Sequence, residues 1–281
     1  ASVGPAVVEL ARRLPGHHVV LNETVDGTFP AHHPDPTMPE NLTDLINSVT
    51  GMGYDLGIAF DGDGDRIGAV DGEGRIVWGD QLLAIYAKEL LGRRPGVDVI
   101  ADVKASQVLF DEIEKLGGKP VICAPGHSVI KSLMAESGAP LAGEMSGHVF
   151  FADGYYGYDD ALYASIRLLD IVAASDSSLA EMLSDLPQMV NTPEVRIEVT
   201  EARKFAVVDE VLAQAKADNL SINEVDGLRV NGPDGWWLLR ASNTEAALVV
   251  RCESDNEDGL DRLKAAVSGY LSRAGVTTAP F

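Results

Sequence analysis

Three short stretches gather side chains able to do chemistry. The first is FDGDGDR (60–66), in which Asp61, Asp63 and Asp65 alternate with Gly62 and Gly64. Carboxylates at i, i+2 and i+4 repel one another unless a cation sits among them, and the glycines let the backbone curl until the oxygens converge. Hard oxygen ligands suit Mg²⁺, which keeps places for water or a phosphate oxygen. A solvated acidic turn is the plain alternative. A calcium EF-hand is excluded, because its sixth position needs glycine and holds Arg66, and its twelfth needs glutamate and holds Gly72.

The second stretch is AGEMSGH (142–148). Glu144 and Ser146 are spaced to project the same way from an extended loop and to grip adjacent sugar hydroxyls. His148 can exchange a proton near neutral pH. A turn that happens to contain a carboxylate competes with this reading. The third stretch is LLRASNTE (238–245), where Arg240 can pair bidentately with a phosphate. Ser242, Asn243 and Thr244 add hydroxyl, amide and backbone donors in a tight turn, a nest suited to a dianion. An Asn-containing hairpin with an incidental arginine is the rival. Lys104 follows a predicted buried strand, where open α/β sheets commonly meet ligands. His127, in PGHS (125–128), stands at a predicted helix N-terminus, which favours anions. Either residue taken alone also fits a purely structural role. HHPDP (32–36) reads as a rigid connector rather than a ligand site.

The elements that must hold these loops follow from periodicity. PAVVELARRL (5–14) reads as an amphipathic helix, HVVLNE (18–23) as a strand, and PENLTDLINSV (39–49) as a helix opened by proline. YDLGIAFD (54–61) is a near-continuous apolar run, typical of a strand buried on both faces. RIGAVD (66–71) and RIVW (75–78) are short strands joined by a turn at Gly72–Gly74. Helices at 80–91, 106–117, 126–138 and 158–175 then alternate with strands at 97–103, 119–124 and 139–144, which predicts a mostly parallel, helix-covered sheet. After Pro187 the order changes: a strand (192–200), a helix (204–218), four short strands between 221 and 254, and a terminal helix (260–275). Grouped strands between two helices predict an antiparallel α+β domain. The fold class is therefore α/β: two related α/β domains with mixed sheets, followed by a smaller α+β domain.

Composition sets limits on function. A formal charge of −21 weighs against nucleic acid, whose phosphates attract basic surfaces. An acidic protein binds an anion only where cations and N–H groups converge locally. The sequence contains no apolar run of membrane-spanning length and its opening residues lack the pattern of a signal peptide. Cys123 and Cys252 lie far apart with no CxxC spacing, which fits a reducing cytoplasm.

DGDGDR, GEMSGH and RASNTE, in that order, resemble the α-D-phosphohexomutase family. The flanking HHPDP, DVK, PGHS and GYDDALY are most similar to its bacterial phosphomannomutase/phosphoglucomutase branch. The resemblance covers essentially the whole sequence. It implies three related α/β domains followed by a mobile α+β domain that carries the phosphate loop. Here it divides the chain into a metal-binding domain (1–75), a sugar-binding domain (76–187) and a phosphate-binding domain (188–281). It also implies transfer of phosphate between C1 and C6 of glucose or mannose, through an enzyme phosphoserine and a hexose 1,6-bisphosphate. By the same resemblance Asp61, Asp63 and Asp65 hold Mg²⁺, and Arg66 steadies the transferring phosphoryl group. Glu144 and Ser146 grip O3 and O4. Arg240, Ser242, Asn243 and Thr244 hold the phosphate that is not reacting, with Lys104, His127 and His148 nearby. His148, Lys104 and groups of the family's first domain all remain open as general acid or base.

No serine here is followed by His-Asn-Pro, the family's phosphorylated motif. The expectation is that the sequence begins inside the second domain, that its nucleophile lies outside residues 1–281, and that these residues alone have no mutase activity. The partners expected are hexose phosphates, with no nucleic acid and no membrane, in a monomer or homodimer. A phosphoglucosamine mutase is the nearest rival, against which Met145 is more similar to the mannose/glucose branch. A non-catalytic sugar-phosphate sensor would have lost ligands, whereas all three aspartates and RASNT are intact. A metal-dependent phosphatase would need a second metal cluster or a nucleophile that the sequence does not offer.

Overall fold

The structure is a computed structural model that describes residues 1–276 and 281. Two compact units form: residues 1–121 with 126–186, and residues 187–281 with 122–125. Among the described residues, no helix is long and apolar enough to cross a membrane.

The first unit opens with α1 (Gly4–Arg13), whose proline stands in the first turn, where its missing N–H costs nothing. The strand expected at 18–23 does not form; these residues are mostly exposed and irregular. No neighbouring strand among the described residues takes their N–H and C=O groups, and a strand without a partner is not stable in water. A 3-10 turn (Pro39–Leu42) leads into α2 (Thr43–Met52), which stops at Gly53 in the left-handed region.

Three antiparallel strands follow: β1 (Leu56–Phe60), β2 (Ile67–Asp71) and β3 (Ile76–Val77). The apolar run predicts a β1 buried on both faces, but only Gly57 is buried, because β1 is an edge strand. β2, in the middle, is the strand buried throughout. The mixed sheet expected for this part is therefore replaced, among the described residues, by an antiparallel meander. Its register pairs Phe60 with Ile67, so the acidic motif 61–66 is the tip of a hairpin.

α3 (Gly79–Arg93) is buried on most of its surface, through Leu82, Leu83, Tyr86 and Leu90 among others. A second sheet has the order β5 (Lys119–Cys123), β4 (Asp98–Asp102), β6 (Leu141–Gly143) and β7 (Val149–Phe151). β4 and β6 are parallel, while β6 and β7 are antiparallel, with Gly143 opposite Val149. No sequence pattern announces β7. It is three residues long, too short to show a period, and it makes this sheet mixed, as the fold class expects, where the strand–helix alternation by itself suggests a mostly parallel one. α4 (Gln107–Lys115) is capped by Ser106 Oγ, which accepts from Val108 N at 3.1 Å. α5 (His127–Ser137) follows β5, and α6 (Ala161–Ala174) is capped by Asp160, which accepts from Tyr163 N at 2.9 Å. α7 (Leu179–Ser184), also outside the predicted elements, opens with a Ser178–Glu181 capping box.

The second unit is α+β. Its sheet runs β10 (Ser221–Asn223), β11 (Leu228–Gly232), β12 (Gly235–Ala241), β13 (Ala247–Ser254), with β8 (Val190–Asn191) and β9 (Val195–Glu198) both pairing β13. Its neighbouring strands run antiparallel throughout, as expected. α8 (Glu201–Ala217) and α9 (Glu257–Arg273) pack on the sheet and close a core around Val207, Val211, Trp237, Leu239, Val250 and Val267. Burying each such side chain contributes about 1.5–3 kcal/mol. Strand alternation places Trp237, Leu239 and Ala241 in that core, so Arg240 belongs to the opposite face.

Candidate functional site

The hairpin tip 61–66 is organised from within by Asp61. This carboxylate is buried, and its Oδ1 accepts from the backbone N–H groups of Gly64, Asp65 and Arg66 at 2.9, 3.1 and 3.2 Å. Its Oδ2 accepts from Arg66 Nε at 2.8 Å. Burial pushes the Asp61 carboxyl up, but the Arg66 side chain and the N–H bonds outweigh it and hold the group below the usual carboxylate range. Burial also pushes Asp65 up, and with the added repulsion of Asp61 and Asp63 its carboxyl stays above the usual range despite the attraction of His148. Asp63 is exposed.

One carboxylate oxygen from each of Asp61, Asp63 and Asp65 lies within 4.8 Å of the others. An all-oxygen donor set, with one member whose charge is raised in cost by its neighbours, fits a hard divalent cation. Asp65, His127 and Asp159 are also mutually close. There, however, Lys131 Nζ already donates to Asp159 Oδ1 at 3.0 Å, so that carboxylate has a cation partner from the chain itself.

Backbone contacts join this hairpin to the loop that follows β6. Arg66 forms an antiparallel bridge with His148, and Ile67 N donates to Gly147 O at 3.0 Å. Gly147 is at φ +97°, and a Cβ there would stand 2.4 Å from Ile67 O, so the approach needs glycine. Within the loop, Glu144 is buried. Its Oε1 accepts from Gly126 N at 2.6 Å, and its Oε2 lies 2.8 Å from His148 Nδ1. Ser146 Oγ is 2.9 Å from the same nitrogen, and His148 Nε2 is 3.4 Å from Asp65 Oδ1. His148 thus spans the two loops. Burial alone would raise Glu144 and lower His148. Their mutual hydrogen bond reverses both, so Glu144 ionises below its ordinary range and His148 above.

His127 stands at the start of α5, half exposed, with Nδ1 3.2 Å from Asp159 Oδ2 and its ring 6.1 Å from that of His148. Lys104 follows β4, and its charge acts on both Asp102 and Glu144. The first unit therefore gathers Asp61, Asp63, Asp65, Arg66, Lys104, His127, Glu144, Ser146 and His148.

The second unit carries the remaining set. Arg240 is buried near the end of β12, and its Nε donates to Asp226 Oδ2. Ser242 is also buried. Its hydroxyl oxygen accepts from Thr244 N at 3.4 Å and Glu245 N at 3.2 Å, and its own N donates to Ala247 O at 2.9 Å. The hydroxyl thus braces the turn from inside, while Asn243 and Thr244 are exposed at its tip.

Models of three families match in order. They are the phosphoglucomutase/phosphomannomutase alpha/beta/alpha domain II at residues 1–74, domain III at 78–190, and the C-terminal domain at 194–269. Phosphomannomutase/phosphoglucomutase of Pseudomonas aeruginosa is 47% identical over 88% of this chain and 53% of its own length. The chain belongs to the α-D-phosphohexomutase family, in its bacterial phosphomannomutase/phosphoglucomutase branch. Among other relatives in that family, a phosphoglucomutase of Neisseria gonorrhoeae is 46% identical over 85% of this chain and 52% of that protein. The crystal structure of a phosphoglucomutase/phosphomannomutase family protein from Burkholderia thailandensis superposes with a TM-score of 0.93 at 41% identity, covering 99% of this chain and 60% of that one. The chain spans about half the length of the curated relatives it matches.

Several residues at the site escape a motif reading of this chain. Asp102, fully buried, accepts from Lys104 N at 2.6 Å and Met145 N at 2.9 Å, so one carboxylate ties the Lys104 turn to the 144–148 loop. Its signal was an aspartate inside the apolar run VIADV, where a charge is seldom buried without a task. Asp35, from the HHPDP string, accepts from Arg66 Nη1 at 3.2 Å. Asp159, inside the GYDDALY string, and Asp226 reach His127 and Arg240 from elsewhere in the sequence, and no local pattern announces Asp226.

Proposed function

We propose that this chain carries the metal, sugar and phosphate sites of a mutase that moves phosphate between C1 and C6 of glucose or mannose. The reaction in this reading runs through an enzyme phosphoserine and a hexose 1,6-bisphosphate. The observation that carries it is the backbone bridge between Arg66 and His148, which sets an acidic, cation-fitting hairpin against a loop of polar sugar-binding type. Mg²⁺, when bound by Asp61, Asp63 and Asp65, offsets negative charge on a transferring phosphoryl group. Arg66, held by Asp61 and Asp35, steadies that group. Glu144 and Ser146 take adjacent sugar hydroxyls at O3 and O4, which glucose and mannose share, so both sugars are accepted. His148, whose hold on its proton Glu144 strengthens, can exchange a proton, and Lys104 and His127 contribute to the phosphate's surroundings. Arg240, Ser242, Asn243 and Thr244 take the phosphate that is not reacting. The corresponding divisions are residues 1–75 for metal, 76–187 for sugar and 188–281 for phosphate.

The test has two parts. Residues 1–281 are titrated calorimetrically with glucose 1,6-bisphosphate, with and without Mg²⁺. Turnover of glucose 1-phosphate and mannose 1-phosphate to the 6-phosphates is followed in the full-length protein. Binding strengthened by Mg²⁺ is expected. Asp63→Asn, which changes an exposed side chain, is expected to raise the Mg²⁺ needed for half-maximal rate by on the order of tenfold, about 1.4 kcal/mol. A rate whose Mg²⁺ dependence is unchanged in that variant overturns the metal assignment. Failure of the full-length protein to convert either sugar phosphate overturns the reaction.

A further inference from the structure

The mutase reading assigns an anion to the turn 242–245, and on that reading rests a further question: what gives this turn its positive character. Arg240 is only part of the answer, because its charge is matched by Asp226 through a direct hydrogen bond. Glu245, at the other end of the turn, is matched by Arg196 at 2.7 Å. One more cation lies against the turn. Lys204, in the first turn of α8, is almost completely buried, with its side chain only 3% exposed. Its Nζ donates to Ser242 O at 2.7 Å and to Glu245 O at 3.1 Å. Among the described residues its carboxylate partner is Glu201 at 2.7 Å, whose side chain is 68% exposed and therefore screened by solvent, while the ammonium itself is buried against the turn.

We propose that Lys204 is a positioning residue of the phosphate turn, fixing the direction of the turn's peptide dipoles and adding a buried charge faced, among the described residues, by a solvent-screened carboxylate. The geometry follows from peptide planarity. In a trans peptide the C=O and the next N–H point in opposite directions, and the peptides of this turn are trans. With Ser242 O and Glu245 O drawn onto one buried ammonium, the N–H groups of Asn243 and Ala246 point away from it. The amides of Thr244 and Glu245 are meanwhile turned onto Ser242 Oγ. Two N–H dipoles aimed away from a buried positive charge are donors for a phosphate dianion. A lysine sealed behind carbonyl oxygens never touches the phosphate, yet its field reaches the ligand through a poorly screened interior. A neighbouring close approach keeps Arg240 in register with this turn. Gly227, at φ +69°, lies where a Cβ would come within 2.3 Å of Leu239 O and 2.8 Å of Arg240 Cα.

The experiment follows the Asn243 and Ala246 amides by ¹⁵N–¹H NMR while residues 1–281 are titrated with glucose 1-phosphate. Wild type, Lys204→Met, Lys204→Arg and Arg240→Ala are compared, with thermal unfolding recorded for each. Lys204→Met is expected to weaken binding at these amides at least tenfold, and Lys204→Arg to recover most of the loss. The loss should be larger at pH 8 than at pH 5, since a phosphomonoester gains its second charge near about pH 6. A merely loosened turn would weaken both forms alike. If Lys204→Met does not fold, Lys204→Arg and the wild-type amides decide the matter. Displacement of the Asn243 amide on titration, together with binding by Lys204→Arg within about threefold of wild type, then supports the proposal. An unmoved amide or a larger loss overturns it. Unchanged affinity in folded Lys204→Met, alongside a loss in Arg240→Ala, overturns the role of Lys204 and leaves the phosphate assignment standing. No response of either amide in wild type overturns both.

Discussion

His148 is the residue on which the two loops of the first unit converge, with Glu144 and Ser146 on one nitrogen and Asp65 near the other. Its elevated proton affinity depends on Glu144, so Glu144→Gln should let His148 lose its proton at lower pH than in wild type. The sign for stability follows. A histidine with a raised native pKa contributes stability that is complete below about 6.5, the unfolded value, and is lost as pH rises through the native one. Glu144 works in the opposite sense, because its lowered pKa contributes above the ordinary carboxylate range and is lost on acidification. Replacing one partner of a charge-assisted hydrogen bond costs about 1.5–3 kcal/mol. Glu144→Gln should therefore lower affinity for glucose and mannose phosphates by similar factors, measured by calorimetry. An NMR titration of His148 should show the accompanying fall in pKa. A defect confined to mannose would mean that Glu144 reads C2.

At the scale of elements, the decisive junction is the seam between the β1–β2 hairpin and the β6–β7 turn. It consists of the Arg66–His148 bridge and the Ile67 N–Gly147 O hydrogen bond, and it exists because Gly147 has no side chain. Gly147→Ala forces a left-handed backbone on an L-residue, a strain of about 1–3 kcal/mol, and adds a carbonyl clash. The midpoint of urea unfolding should fall accordingly. Mg²⁺ affinity of the acidic hairpin should fall less than affinity for hexose phosphate, since the hairpin's own hydrogen bonds to Asp61 remain. Equal stability in Gly147→Ala would show that the seam tolerates a methyl group. Helix α7 makes a related point about local signals: its Ser178–Glu181 capping box is written in the sequence, whereas its six residues are too few to show a period.

For the molecule as a whole, a charge of −21 makes the pairing of carboxylates a stability problem. One answer lies in the first unit, where Asp153 meets Arg93 and Arg94, and Glu89 meets Arg93 and Arg167. The hydrogen bond from Arg93 holds the Asp153 carboxyl below its ordinary range, against a smaller upward push from burial. Stability from a depressed carboxylate is present above the unfolded pKa and is lost as pH falls through the native one. Asp153→Asn should thus lower stability at pH 7 by about 1 kcal/mol, a modest value because the arginines are partly exposed. The difference from wild type should vanish near pH 2, as followed by thermal unfolding across pH. A difference that persists in acid would assign the loss to packing instead.

The sequence by itself determined the three loops, nearly all of the helices and the change to α+β order after Pro187, because side-chain period and glycine–carboxylate spacing are local properties. It also carried the family, since three ordered motifs constrain far more than any one. What only the tertiary structure decided is partnership over distance. Whether YDLGIAFD is central or an edge depends on which strands pair it, and HVVLNE fails as a strand for want of a neighbour among the described residues. The carboxylates behind the motifs, Asp35 on Arg66, Asp102 beneath Lys104 and Met145, and Asp226 on Arg240, gain their positions from packing. So does Lys204, which an amphipathic helix pattern marks only as one more charged residue. A buried charge is specified by what surrounds it, and those surroundings are assembled from segments up to 43 residues apart.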